Sequence, residues 1–263
     1  MRYFLHLAFN GTRYHGWQIQ RNAPSVQACL ENALHLYLGE EIAVTGCGRT
    51  DTGVHAKDYW AHFDTEQDVK NRGLFTYKIN AILPSDVTVL GIFPVSTERH
   101  ARFDATYRTY RYFLRFRKEP FCEGITAAPG TYGQTPLNIT AMNEAARLLL
   151  GTHDFTSFSK SHTQTKTNFC TVTVAHFFSS ASDSPAPCLT PLLVFEVTAD
   201  RFLRNMVRSL VGTLLEIGRG NRPVEWILQV LEGKSRSLAG NSVPAEGLFL
   251  WKVAYAFEDE LFI

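Results

Sequence analysis

From Arg2 to Asn10 apolar and polar residues alternate, with Tyr3, Leu5, Leu7 and Phe9 on one side, and the run stops at Asn10-Gly11, a turn signal. A period of two predicts a strand with one buried face. Beyond Ser25 the period lengthens: Val26, Cys29, Leu30, Ala33, Leu34 and Tyr37 recur at three- and four-residue steps, the spacing of one helix face. Ser25 is placed to cap that helix and Gly39 to stop it. Ile42 to Thr45 and Tyr59 to Phe63 read as strands on either side of a glycine-rich loop. Asn71 to Leu83 reads as a helix ended by Pro84, and Val87 to Val95 as a strand. The order is β-α-β-β-α-β.

The remainder of the chain nearly repeats it. Thr106 to Phe116 is strand-like, Ile139 to Leu150 helical, and Cys170 to Ser179 and Leu192 to Thr198 are strands around a Ser/Pro-rich loop at Ser180 to Pro191. Leu203 to Ile217 and Val224 to Leu231 are helical, and Leu248 to Ala256 is a last strand. Glu119 to Leu137, with three prolines and three glycines, reads as an insertion loop. These patterns predict an α+β chain of two ferredoxin-like βαββαβ halves, residues 1–104 and 105–263. Their antiparallel sheets would lie side by side and leave a central cleft, where ligands are commonly held.

Composition narrows the class. With 263 residues, 45% hydrophobic and 19% charged, the chain is an ordinary soluble globular protein. No apolar run approaches the roughly 20 residues of a membrane span, and Arg2, His6 and Arg13 interrupt any signal peptide. Five cysteines, at 29, 47, 122, 170 and 188, with no Cys-x-x-Cys spacing, predict reduced thiols in the cytoplasm rather than disulfides or a zinc site. Net charge is only +1, yet the charges are segregated. Arg99 to Lys118 holds seven Arg or Lys residues against Asp104, and Arg201 to Arg222 holds five arginines against Glu216, while acids gather at Glu258, Asp259 and Glu260. A nearly neutral chain arranged in this way can grip phosphates on one face.

The most informative stretch is residues 46 to 56, Gly-Cys-Gly-Arg-Thr-Asp-Thr-Gly-Val-His-Ala. Gly46, Gly48 and Gly53 suit a sharply turned loop between two strands, and Asp51 is its carboxylate, with Arg49 before it and His55 after. An aspartate in such a loop ordinarily caps its own backbone. Here the whole string resembles the signature of the pseudouridine synthases that act on transfer RNA, specifically the tRNA pseudouridine synthase A family. That family carries Gly-Arg-Thr-Asp-Ala-Gly-Val-His-Ala around its catalytic aspartate, and this chain differs only in having Thr52. Tyr14-His15-Gly16-Trp17-Gln18-Ile19-Gln20 with Ser25-Val26-Gln27 is similar to the family's opening motif. His100-Ala101-Arg102-Phe103, Tyr110-Arg111-Tyr112, Asp154-Phe155-Thr156-Ser157-Phe158, Asn205-Met206-Val207-Arg208 and Ala245-Glu246-Gly247-Leu248 follow in the family's order.

The resemblance implies a dimeric α+β enzyme that converts uridine to pseudouridine at positions 38, 39 and 40 of the tRNA anticodon stem-loop. The reaction breaks N1–C1′, turns the uracil and joins C5 to C1′, with no net redox change, so neither cofactor nor metal is required. Asp51 is the implied nucleophile, acting as in a glycosidase, although removal of a sugar proton is an alternative for the same carboxylate. Arg208 is implied as the cation that keeps it ionised. At about 100° per residue, Leu203, Val207, Leu210 and Leu214 form an apolar face with Arg204 and Arg208 together on its flank. Tyr110 matches the family's base-stacking tyrosine, a contact worth about 1–3 kcal/mol per base; sharing a strand face with Tyr112, it reads equally as core. Arg49 resembles the arginine that enters the RNA where the target leaves, and Arg102 resembles a tRNA contact. His55 reads as a hydrogen-bonding partner of the loop, and Asp58 and Asp64 as solvated strand ends. Lys166 stands where the family usually has arginine, losing the bidentate fork, and Tyr59-Trp60 is bulkier than in many members. A non-catalytic tRNA-binding module has no use for an intact Asp51 loop. A glycoside or nucleotide hydrolase needs a second carboxylate about 5–10 Å away, for which no motif is present.

Overall fold

The computed structural model describes residues 1–128, 136–160, 167–180, 188 and 190–257. The fold is mixed α/β and divides into two compact units, one comprising Met1–Tyr107 and the chain from Phe249 onward, the other Arg108–Leu248. In chain order the elements are β1 (Arg2–Phe9), α1 (Val26–Leu38), β2 (Val44–Gly46), β3 (His55–Asp64), α2 (Arg72–Ile82) and β4 (Val87–Val95). There follow β5 (Ala105–Leu114), α3 (Ile139–Arg147), β6 (Gly151–Asp154), β7 (Phe169–Ser180), β8 (Leu192–Ala199), α4 (Met206–Gly218), α5 (Trp226–Gly233) and β9 (Leu248–Tyr255).

In the first unit β1 lies between β3 and β4, antiparallel to both, with Leu5 opposite Ala61 and Ile92. One stretch of β3 pairs with β2 antiparallel, and another, His55 and Ala56, pairs with Phe249 and Leu250 of β9 in parallel. The last strand therefore returns to the first unit, although its sequence position follows the second. Ser25 caps α1 by accepting from Ala28 N, and Gly39 ends it at φ 73°. Val26, Leu30, Ala33, Leu34 and Leu38 are buried, whereas Tyr37 is turned edge-on to Phe75 of α2 at 5.3 Å. Phe75 in turn stacks on Phe63 of β3 at 6.3 Å, which seats α2 on that face of the sheet.

The alternation in β1 predicted one buried face, but the strand is buried on both. Phe4, pointing away from Tyr3 and Leu5, is fully covered by Trp60, His62, Tyr255 and Phe257, whose ring centroids lie 5.7–6.5 Å from its own. Aromatic side chains from β3 and the distant C-terminal strand supply this second layer, and local periodicity carries no record of them.

The second unit has an antiparallel sheet in the order β5-β8-β7-β6. The sequence pattern omits β6, whose four residues pair Thr152 with Thr171 and are too few to show a period. α4 starts at Met206 rather than Leu203, because Asn205 takes a left-handed φ of 67°. Arg204 consequently lies outside the helix and does not share its flank with Arg208. The cysteine expectation is also overturned for one pair: Cys122 and Cys188 form a disulfide, 66 residues apart, while Cys29, Cys47 and Cys170 are thiols. Spacing could not show this pair, since its members stand on either side of β6 and β7 in the chain and meet only on folding. Among the described residues no helix is long and apolar enough to cross a membrane.

Candidate active site

The glycine-rich loop leaves β2 and enters β3, and its ends are drawn together where Cys47 N donates to Trp60 O at 2.7 Å. A second strip, residues 11–17, lies against it. Trp17 N donates to Thr50 O at 3.4 Å, and Gly53 N to Tyr14 O at 3.2 Å. Val54 N donates to Asp51 O at 3.1 Å, closing a turn in which Gly53 has φ 77°. The contact is backbone on backbone: a Cβ on Gly16 would stand 2.2 Å from Thr50 O, and one on Gly11 would stand 2.0 Å from Val54 O. Asp51 is thus held by main chain on both sides, and the residue is partly exposed.

Aromatic rings back the loop from beneath. Trp17 stacks on Tyr59 at 4.3 Å, and the Tyr59 hydroxyl donates to Gly48 O at 2.5 Å. Gly46 has no room for a side chain, since a Cβ would lie 2.1 Å from that hydroxyl and 2.7 Å from the Trp17 ring. Tyr14 donates to Asp86 at 2.7 Å and Arg13 donates to its other oxygen at 2.6 Å. Burial pushes the Asp86 carboxyl up, but these hydrogen bonds outweigh it and hold the group below the usual carboxylate range.

Other groups near Asp51 in the sequence have structural employment. His55 is fully buried; its Nδ1 accepts from Gly11 N at 3.1 Å, and its ring stacks on Phe249 at 4.4 Å. Asp58 is not a solvated strand end. It is half-buried mid-strand, 2.8 Å from His6 Nε2, and accepts from Trp60 Nε1 at 2.8 Å and Val253 N at 2.7 Å. Asp64 does end β3, exposed and paired with Arg2 at 2.7 Å, an interaction that lowers its pKa chiefly through the hydrogen bond.

Arg102 is exposed on a separate turn of the same unit. His100 N donates to Asp104 Oδ2, and the His100 Nδ1 accepts from Arg102 N at 3.1 Å and Phe103 N at 3.3 Å. Below it, His62 Nδ1 accepts from Ala101 N at 3.1 Å. The turn therefore requires two neutral imidazoles. Burial first, then the charges of Arg2 and His100, outweigh the opposing Asp64 and Asp104 and push His62 down to about 4; burial also lowers His100. A histidine with a depressed native pKa binds its proton more readily when unfolded. Stability is then complete above about pH 6.5 and declines as pH falls toward 4. Between pH 6.5 and 5 the His62 contribution is at most about 2 kcal/mol. Urea midpoints measured across this range should fall less for His62→Asn, whose amide oxygen retains an acceptor without titrating; an unchanged slope would contradict the assignment.

In the second unit Arg208 sits in the first turn of α4, half-buried. Its Nε donates to Val243 O at 2.7 Å, which fixes the guanidinium plane and directs the terminal N–H groups elsewhere. A cation at the positive end of a helix dipole favours an anion beside it. Tyr110 and Tyr112 share a face of β5 but not an environment. Tyr112 is fully buried, its hydroxyl donating to Pro244 O at 2.8 Å. Tyr110 is half-exposed, edge-on to Phe202 at 5.0 Å. Among the described residues no cluster of three or more His, Cys, Asp or Glu side chains could hold a metal ion.

A sequence family described as tRNA pseudouridine synthase matches residues 145–256. A Porphyromonas gingivalis protein named tRNA pseudouridine synthase A is 46% identical over 255 residues, 97% of each chain. Proteins of the same name from Bacteroides thetaiotaomicron and Shewanella amazonensis are 47% and 39% identical, each over 97% of this chain and over 90% and 93% of their own. The chain belongs to the tRNA pseudouridine synthase A family.

Within that family's signature, Asp51 and Arg49 share one loop, with Arg49 exposed; Arg102 is on its own turn, and Arg208 and Tyr110 are on α4 and β5. Lys166 lies outside the described residues, as do Glu258, Asp259 and Glu260. The Asp154–Phe158 block is scaffold: Phe155 and Phe158 are fully buried, and Ser157 Oγ accepts from Ser235 N at 2.9 Å. Gly247 is pressed against β5, where a Cβ would stand 2.8 Å from Phe113 O. Sequence reasoning overlooked Asp86, the anchor of the strip behind the loop. Its only local signal was a carboxylate in a turn.

Proposed function

We propose that this protein isomerises uridine to pseudouridine in tRNA, at positions 38, 39 and 40 of the anticodon stem-loop, with Asp51 as the nucleophile. The observation that carries the reading is the Asp51 loop itself, whose main chain is clamped by residues 11–17 while the residue stays partly exposed. Attack of the carboxylate at C1′ breaks N1–C1′ and leaves uracil as the anion. After the uracil turns, C5 takes the bond to C1′, the C5 proton is lost, N1 is protonated and the carboxylate is released. Atoms and electrons balance within the substrate, so the chemistry demands no cofactor or metal.

In this reading Arg208 keeps Asp51 ionised and Tyr110 stacks on the extruded uracil. Arg49 fills the gap that the uracil leaves, and Arg102 contacts the tRNA. These roles need the finer architecture of two ferredoxin-like halves with sheets side by side and the catalytic cleft between them. The β4-β1-β3-β2 pairing of the first unit supports it. Action as a homodimer rests on the family resemblance. A cytoplasmic site of action rests on tRNA as substrate, because the Cys122–Cys188 disulfide removes the argument from reduced thiols. The test is incubation with unmodified tRNA, without added cofactor, followed by position-specific mapping. Pseudouridine at 38–40 is expected; tRNA that binds but returns unmodified overturns the reading.

A further inference from the structure

We propose that Arg236 is a positioning residue for the isomerisation, moulding the segment 239–243 so that it sets the guanidinium of Arg208. The inference rests on the reading of Arg208 as the partner of the catalytic carboxylate. Arg236 lies outside every motif shared with the family signature, in a short turn after α5, and is half-buried. Its Nη1 donates to Ala239 O at 3.3 Å and Gly240 O at 3.0 Å, and its Nη2 to Ser242 Oγ at 3.0 Å. All three acceptors are neutral oxygens, and burial lowers its pKa. Desolvating a guanidinium against neutral oxygens alone is costly, and what it achieves here is the shape of one segment of chain.

That chain is fastened to α4 at three points. Ser242 Oγ also accepts from Asn205 Nδ2 at 2.6 Å, at the left-handed residue that opens the helix. Gly240 N donates to Thr213 Oγ1 at 2.9 Å. Val243 and Arg208 then exchange bonds: Val243 N donates to Arg208 O at 3.2 Å, and Arg208 Nε to Val243 O at 2.7 Å. The approach is possible only without side chains, since a Cβ on Gly212 would stand 1.8 Å from Asn241 O. The Val243 carbonyl therefore fixes the Arg208 fork, and Arg236 fixes the curve of chain that delivers that carbonyl. Carboxylate recognition by such a fork is directional, and a displacement of about 1 Å at a catalytic group can cost about a hundredfold in rate.

The experiment measures kcat and KM on unmodified tRNA for Arg208→Ala, Arg236→Ala, Arg236→Lys and the double alanine variant. Arg236→Ala should lower kcat about 10–100-fold with KM within about threefold. Lysine, whose single ammonium lacks the planar fork that spreads Nη1 and Nη2 over the segment, should fall between. The double variant should be no slower than Arg208→Ala, because residues acting through one group are not additive. If Arg236→Ala fails to fold, Ser242→Ala, which removes one of the three acceptors, should show the same pattern in milder form. A rise in KM at unchanged kcat would make Arg236 a phosphate contact, and independent, multiplying losses would make it a mere brace; either overturns the proposal. Unchanged turnover in Arg208→Ala overturns the reading beneath it.

Discussion

Asp51→Asn should form no detectable pseudouridine while binding tRNA within a few-fold of the unaltered protein. The substitution conserves shape, and main-chain hydrogen bonds hold the course of the loop. Its turn is closed by the Asp51 carbonyl accepting from Val54 N, and its flanks are held by Trp17 N–Thr50 O and Gly53 N–Tyr14 O. Folding stability should therefore change little. What disappears, on the proposed reading, is the nucleophile, a group able to take a bond at C1′ and release it again; a neutral amide does neither well. The measurement is single-turnover pseudouridine formation beside tRNA affinity for the same preparation. Equal rates in the two proteins would falsify the assignment. A joint collapse of rate and binding would mean that the loop was disrupted.

Gly16→Ala should be nearly as damaging for a different reason. At φ 91° an L-residue is strained by roughly 1–2 kcal/mol, and its Cβ would stand 2.2 Å from Thr50 O. That oxygen belongs to the main chain one residue before Asp51, so relieving the clash moves the carboxylate. We expect a loss of about 3 kcal/mol or more in stability and about a hundredfold or more in turnover. Gly39→Ala is the matched comparison. It has a similar φ of 73° but nothing within 4 Å of the added Cβ. It should show only the conformational cost, with turnover intact. Denaturant unfolding and kcat on both variants decide the matter, and indistinguishable behaviour would contradict the role given to the strip behind the loop.

These expectations draw unequally on sequence and structure. The loop that carries Asp51 was legible because it is a contiguous string, and a contiguous string is what a linear pattern preserves. Its support was not. Residues 11–17 were visible as a motif, yet nothing in their order tells that their backbone backs Thr50 and Asp51. Asp58 failed the reading for the same reason: one of the three groups that engage it, Val253 N, lies 195 residues away. The flank shared by Arg204 and Arg208 assumed an unbroken helix, whereas Asn205 at φ 67° starts the helix between them.

By itself the amino-acid sequence determined where most strands and helices form, which loop carries the lone carboxylate, and the family to which the chain belongs. Each of these is written in neighbours along the chain, through side-chain period, caps and a continuous signature. Only the tertiary structure decided what presses on that loop, why β1 is buried on both faces, which cysteines pair, and how Val243 and Arg236 frame Arg208. The physical reason is range. Periodicity records how apolar each position is, while a hydrogen bond or a backbone contact between distant segments depends on packing that no local pattern encodes.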